Sequence, residues 1–149
     1  MFREGADDWG EWHKDRLRRT AYTMDADGVE WRRQNNIEYR RGANDGLEVV
    51  GFYELILCPQ NVERVLEDPG RWAIHPGKLG VLKLLKRAFA SAAGRAVPVF
   101  IVWRPPRMKG AEFLVSECEG ENANRLTEDE FVALLEGLPD WPWPLDPSL

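Results

Sequence analysis

The sequence contains few of the residues from which disulfide frameworks and zinc sites are built. It has only two cysteines, Cys58 and Cys118. A disulfide-rich scaffold is therefore excluded, and two free thiols in a reducing compartment are expected. The two histidines, His13 and His75, have no Cys or His partner at zinc-ligand spacing. We therefore expect no zinc-dependent activity.

Other sequence features are missing as well, and each absence removes a class of function. No apolar run approaches the roughly 20 residues that cross a bilayer. The first eight residues are polar and acidic, unlike a signal peptide. The sequence also has no phosphate-binding glycine loop and no nucleophile elbow. We expect a cytoplasmic protein without a membrane partner.

Positive charge is in short supply. The chain has 25 acidic residues against 20 lysines and arginines, which gives a formal net charge of −5. This balance disfavours binding of nucleic acid by overall charge, which requires a basic face. Local basic clusters at 14–19 and 83–87 are compatible with contact to a nucleic acid and also with simple solvation.

What the chain does have is the composition of a globular domain. Its 149 residues are 44% hydrophobic and 30% charged, which fits a single core. We find no internal repeat and no linker, so one domain is expected over 1–149. Segment 139–149 is rich in Trp and Pro, and it is expected to pack as an extended tail over that domain.

The apolar pattern predicts a sheet that is flanked by helices. Segment 47–57 is apolar on both faces, as expected for a central strand. Segment 78–93 has one apolar stripe and is followed by Gly94, which predicts a helix and its C-cap. A capping box of Thr127 and Glu130 predicts the start of the last helix. The element order predicts an α/β (α+β) fold with a central mixed sheet. The other predicted elements are a helix over 8–19, strands over 29–33, 37–40, 97–103 and 112–117, and a short helix over 62–66.

Three acidic residues are candidates for chemistry. Asp25 and Asp27 stand where the first strand is expected to begin, and Glu54 interrupts the apolar strand. Burying a carboxylate there costs several kcal/mol unless it is paired, hydrogen-bonded or bound to a cation. Pairing with an arginine would satisfy Glu54 structurally. If Asp27 instead meets Glu54 across adjacent strands, the two carboxylates would form a site for Mg²⁺.

Three short segments, in this order along the chain, carry a resemblance to a known family. They are 9–13 (WGEWH), 22–27 (YTMDAD) and 51–54 (GFYE). With the later helices and strands, they resemble small nuclease-like proteins of the PD-(D/E)xK (restriction-endonuclease-like) superfamily. In that family an initial helix leads to a strand bearing an aspartate, and the central strand carries a Glu-x-Lys pair. The resemblance implies a restriction-endonuclease-like core, a nucleic-acid partner, and phosphodiester hydrolysis with Mg²⁺ or Mn²⁺.

The resemblance also implies roles for individual residues. Asp27 would be the first metal-binding acid and Glu54 the second, with Asp25 as a neighbour. Glu11 matches the position where many such nucleases add an acidic ligand. The same position also fits a glutamate on the solvent-facing side of a helix. His13 would orient a phosphate or a carboxylate, or would be a structural, hydrogen-bonded histidine.

The chain departs from the family at the motif lysine. Ile56 occupies the position two residues after Glu54, on the same face of the strand. An ammonium there would hold the attacking water and offset charge in the transition state. Some members take this lysine from a neighbouring helix, so Lys83 or Lys86 could replace it, or both could be solvated charges.

Two functions therefore compete. The first is a metal-dependent nuclease, or a nuclease-like domain that binds nucleic acid. The second is an inactive pseudo-nuclease that acts by protein–protein contact, as a regulator or inhibitor in a mobile-element or defence setting. The retained acids favour the first, whereas Ile56, the net negative charge and the seven tryptophans favour the second. Neither the presence of enzymatic activity nor the oligomeric state follows from the sequence.

Overall fold

The structure is a computed structural model that describes residues 9–17, 22–25, 33–42, 46–58, 61–119 and 123–143. Within these residues the chain forms five helices and six strands. In chain order they are α1 (Trp9–Arg16), β1 (Tyr22–Asp25), β2 (Arg33–Arg41), β3 (Leu47–Leu57), α2 (Glu63–Glu67), α3 (Pro69–Trp72), α4 (Pro76–Ala93), β4 (Val99–Arg104), β5 (Glu112–Glu117), β6 (Asn124–Thr127) and α5 (Glu128–Gly137).

The six strands form one sheet in sequence order. Strands β1, β2 and β3 make an antiparallel meander, and β4, β5 and β6 make a second one. The two meanders meet where β3 and β4 pair in parallel. A parallel pair requires a crossover, which α4 provides together with the short α2 and α3. The predicted α+β class with a mixed sheet and flanking helices is confirmed.

Each face of the sheet is covered by a separate layer of helices. Because side chains alternate along a strand, Tyr53 and Leu55 of β3 join a core with side chains of α1 and α5. Phe52 and Ile56 point to the other face, where they share a second core with α2 and α4. From Val50 to Leu57 the central strand is buried on both sides, as its apolar pattern predicts.

The ends of the two longest described helices follow local sequence signals. At α5, the backbone N–H of Glu130 donates to Thr127 Oγ1 at 3.2 Å, and that of Thr127 donates to Glu130 Oε1 at 2.8 Å. The predicted capping box is therefore confirmed. Helix α4 ends at Gly94, whose φ of 72° favours glycine, as predicted. It begins at Pro76, earlier than its apolar stripe, because His75 Nδ1 accepts the backbone N–H of Gly77 at 2.9 Å.

Two strands differ from the sequence-based prediction. Residues 34–36, which separate the predicted strands over 29–33 and 37–40, lie inside β2, which pairs with β1 on one side and β3 on the other. Strand β3 pairs with all three of these polar residues, which have little strand propensity of their own. Strand β6 was not predicted, since Leu126 is its only apolar residue. The predicted strand over 29–33 falls mainly outside the described residues.

After α5 the chain returns over the face that α1 and α5 cover. The Trp141 ring packs on Phe100 with centroids 4.9 Å apart, and Trp143 meets Trp141 edge-on. Leu138 approaches the backbone of β3 so closely that a Cβ at Gly51 would lie 2.8 Å from its Cδ1. Within the described residues, no helix is both long enough and apolar enough to traverse a bilayer.

Glu128, the first residue of α5, links this helix to α1 and to the connection between β4 and β5. Its carboxylate accepts the indole N–H of Trp12 at 2.7 Å and the backbone N–H of Gly110 at 2.8 Å. Arg16 of α1 also contacts it. Burial alone would raise the pKa of Glu128, but these donors outweigh it and hold the pKa below its ordinary value of 4.5.

The packing of α4 predicts opposite outcomes for two leucines that are close in sequence. Leu82 is fully buried against the sheet, whereas Leu84 is 60% exposed. We expect Leu82→Ala to lower the free energy of unfolding in urea by about 2–5 kcal/mol, because it leaves a cavity. Leu84→Ala is the matched control and should change it by less than about 0.5 kcal/mol. Similar losses for both variants would contradict the orientation of α4.

The lowered pKa of Glu128 predicts an acid-dependent loss of stability. A carboxylate whose folded pKa is below 4.5 stabilises the fold above that pH, and the contribution disappears as the pH falls through the folded pKa. We expect Glu128→Gln to lower the free energy of unfolding at pH 7 by about 1–2 kcal/mol and to flatten its decline below pH 4.5. Glu11→Gln, at an exposed position of α1, is the control. An unchanged acid profile in Glu128→Gln would refute this role.

Candidate functional site

The buried carboxylate of Glu54 is the centre of the candidate site. Glu54 lies in β3 on the face that α4 covers, and its side chain is 2% exposed. Its neighbours across the sheet are Asn35 on β2 and Ile101 on β4. A buried carboxylate requires compensating donors, and β2 and α4 supply them.

Among the described residues, Lys78 is the cation that forms an ion pair with Glu54. It lies in the first turn of α4, and its Nζ is 3.5 Å from Glu54 Oε1. In the amide orientation that satisfies both neighbours, the Asn35 nitrogen donates to Glu54 Oε1. The Asn35 oxygen then accepts from Lys78 Nζ at 3.0 Å. The N-terminal end of a helix also favours a nearby negative charge. We call these three residues, Glu54, Lys78 and Asn35, the Glu54 cluster.

The accessible part of the Glu54 cluster is the lysine. The side chain of Lys78 is 28% exposed, whereas that of Glu54 is almost fully enclosed. A molecule that approaches this region would therefore meet the ammonium group before the carboxylate. Glu54 is placed to fix the position of Lys78, and Lys78 is placed to donate hydrogen bonds to an anion.

Of the predicted acids that the structure describes, Glu54 is the one in this cluster. Asp27 lies outside the described residues, so its meeting with Glu54 stays a prediction. Asp25 is the last residue of β1, and its backbone pairs with Asn36, one position along β2 from Asn35. Strand β2 lies between β1 and β3, so the described part of β1 is not adjacent to Glu54.

The other predicted site residues lie elsewhere. Glu11 is exposed on α1, which packs on the opposite face of the sheet from α4. Lys83 is half-buried on α4 and forms no ion pair with any described residue. Lys86 donates to Glu117 at 2.8 Å and to Glu119 at 3.1 Å. Lys78, which the sequence did not single out, is the α4 lysine that contacts Glu54.

A second buried carboxylate lies on the opposite face, beneath α1. Glu38 of β2 is fully buried, and its Oε2 is 3.0 Å from His13 Nε2 and accepts the Tyr53 hydroxyl at 2.7 Å. The Trp9 ring packs against both the His13 and the Tyr53 rings. His13 thus contacts a carboxylate, and that carboxylate is Glu38.

Glu38, His13 and Tyr53, which we call the Glu38 cluster, are enclosed, so their role is structural. His13 is 6% exposed, and Glu38 and Tyr53 have no exposed surface. Its hydrogen bonds connect α1 to the sheet. They also satisfy polar groups that would otherwise be buried without a partner. The alternation in 37–40 indicated a strand, but the sequence carried no signal that Glu38 would turn inward to meet His13.

Metal-binding and thiol chemistry receive little support from the described part of the chain. There, no three His, Cys, Asp or Glu side chains lie close enough together to hold a metal ion. Cys58 and Cys118 are free and buried. Burial raises the pKa of Cys58 to about 11 and that of Cys118 to about 12, so both thiols are protonated at neutral pH.

Comparison with known proteins returns no relative: no family model, no curated protein and no solved structure matches the chain.

The contact between Lys78 and Glu54 predicts a measurable coupling. Removing one member of a buried ion pair typically costs about 3–5 kcal/mol, and the partial exposure of Lys78 reduces this value. In a double-mutant cycle of Glu54→Gln and Lys78→Met, we expect a coupling of about 1–3 kcal/mol in the free energy of unfolding. Pairing Glu54→Gln with Lys83→Met is the control and should give additive effects. Additivity in both cycles would contradict the contact.

Proposed function

We propose that the chain is a nuclease-like domain that binds nucleic acid, with the Glu54 cluster at its centre. The element order supports this proposal, since a first helix, a meander and a crossover helix are what the PD-(D/E)xK resemblance implies. Glu54 also lies on the central strand, where the resemblance expects the second acid.

The observation that carries the proposal is the 3.5 Å distance between Lys78 Nζ and Glu54 Oε1. Ile56 leaves the strand without the motif lysine, and Lys78 supplies an ammonium group from the neighbouring helix instead. In this proposal Lys78 donates to a phosphate oxygen of the bound strand. Glu54 acts as a positioning residue, because it holds the ammonium in place and does not itself reach the ligand.

The charge around α4 fits this role better than the net charge of the chain does. Helix α4 contains Lys78, Lys83, Lys86 and Arg87 and no acidic residue, although the chain as a whole carries −5. Lys86 is paired with Glu117 and Glu119. Lys83 and Arg87 form no ion pair with a described residue, so α4 brings positive charge to an acidic protein, and positive charge favours contact with phosphates.

The described residues alone do not form a site for Mg²⁺ or Mn²⁺. There, no three His, Cys, Asp or Glu side chains lie together, and Oε1 of Glu54 is already contacted by Lys78 and Asn35. A bound ion would polarise a phosphodiester and activate water. Its ligands would have to include Asp27. Metal binding by Asp27 remains a prediction from the sequence. Nucleic-acid binding is therefore the primary claim, and hydrolysis depends on Asp27.

An inactive pseudo-nuclease that binds another protein is the second candidate. Val81 is 47% exposed and Leu84 is 60% exposed, both on the outer side of α4. Exposed apolar side chains next to one another are more typical of a protein interface than of a surface that contacts phosphates.

The first proposal predicts a specific loss of affinity on removal of one ammonium group. We expect Lys78→Met to weaken binding of labelled single- or double-stranded DNA or RNA about tenfold at low salt, because one charge-assisted hydrogen bond is lost. The slope of log K against log salt should also fall by about 0.7–0.9. Fluorescence anisotropy at several salt concentrations measures both quantities.

Lys83→Met removes a charge from the same helix and is the matched control, with an expected change of less than about threefold. Cleavage of the same substrates with Mn²⁺, in wild type and Asp27→Asn, tests hydrolysis separately. If wild type binds no nucleic acid, or if Lys78→Met binds as tightly as wild type, the nucleic-acid proposal fails and the protein-binding alternative becomes the better account.

A further inference from the structure

A pocket of about 380 Å³ opens at the carboxyl end of the parallel strand pair, separate from the Glu54 cluster. Its wall is formed by the connection from β4 to β5, the residues that lead into α2, and Arg125 of β6. In open α/β sheets, the carboxyl end of parallel strands is where ligands commonly bind. The volume falls within the range of small-molecule sites.

Both acidic side chains of this pocket are already paired with a cation. The guanidinium of Arg125 lies 2.6 Å from Glu112 Oε1 and also contacts Glu63. Arg125 accordingly holds the pKa of Glu112 below its ordinary value, and the hydrogen bonds that Arg125 donates to Glu112 and Glu63 raise the pKa of Arg125. Arg125 therefore forms an ion pair with each of the two carboxylates.

Two further cations in the pocket have no such partner. Arg107 and Lys109 both line it, and neither forms an ion pair with a residue that the structure describes. The Oδ1 of Asn61 accepts the backbone N–H of Glu63 at 3.0 Å, and its amide nitrogen has no acceptor among the described residues. With three cations and two acids, the pocket has a formal charge of +1 on a chain of −5. A guanidinium, an ammonium and an amide donor together match an oxyanion.

We propose that this pocket binds a phosphate group through Arg107 and Lys109. A guanidinium can donate two parallel hydrogen bonds to two phosphate oxygens, and a lysine adds a point charge. The group could belong to a free nucleotide or to a nucleic-acid strand. The second source rests on the proposed function, whereas phosphate binding itself depends on the pocket alone.

The direct test is a titration of the full chain with inorganic phosphate and with adenosine monophosphate at low salt, followed by calorimetry and by backbone NMR shifts. We expect saturable binding, with shifts at 107–110 and at Asn61. Arg107→Gln combined with Lys109→Gln should weaken it at least about tenfold, because two charge-assisted hydrogen bonds are removed. Arg87→Gln combined with Lys83→Gln removes the same charge from α4 and should change it less than about twofold.

A second arm compares oligonucleotides with and without a 5′-phosphate. If the pocket variant weakens oligonucleotide binding, the phosphate belongs to a strand; if it weakens only phosphate and nucleotide binding, the ligand is a free nucleotide. Lys78→Met separates the two proposals, since it should leave the phosphate-induced NMR shifts at 107–110 unchanged. No saturable binding of phosphate, or equal affinities in wild type and the pocket variant, would overturn the phosphate site.

Discussion

The rest of the candidate site depends on one buried charge. Glu54 lies in the middle of an apolar strand, and a carboxylate in that position is stable only when donors surround it. The fold meets this requirement by bringing β2 and the first turn of α4 to the same point, so that Asn35 and Lys78 both contact it. The crossover that creates the parallel strand pair also positions the lysine.

The two faces of the sheet use buried carboxylates in different ways. Glu38, beneath α1, is enclosed with a histidine and a tyrosine, and its hydrogen bonds serve packing alone. Glu54, beneath α4, is paired with a lysine that reaches the surface. Only the second arrangement presents a charged donor to an approaching molecule, and for this reason the functional proposal rests on that face. The pocket beside Arg107 adds positive charge at the carboxyl end of the parallel strands.

Local signals were sufficient to predict much of the fold. The apolar run of β3, the stripe of α4 and the capping box of α5 each depend on neighbours within a few residues, and all three are present. The N-terminal half of β2 and the whole of β6 are polar strands that form because adjacent strands pair with them, and no local pattern reveals such pairing. The candidate site was likewise predictable only in part. Glu54 was recognisable because a carboxylate in an apolar strand is costly, but the choice of Lys78 over Lys83 depends on how α4 lies against the sheet.

The most direct measurement of the central claim is NMR of the lysine side-chain ammonium groups, with Lys78 assigned by comparison with Lys78→Arg. The proposed role of Lys78 predicts a signal that is protected from exchange by Glu54 and that shifts on addition of an oligonucleotide. A Lys78 ammonium that exchanges as fast as that of Lys83 and does not respond to the oligonucleotide would contradict it.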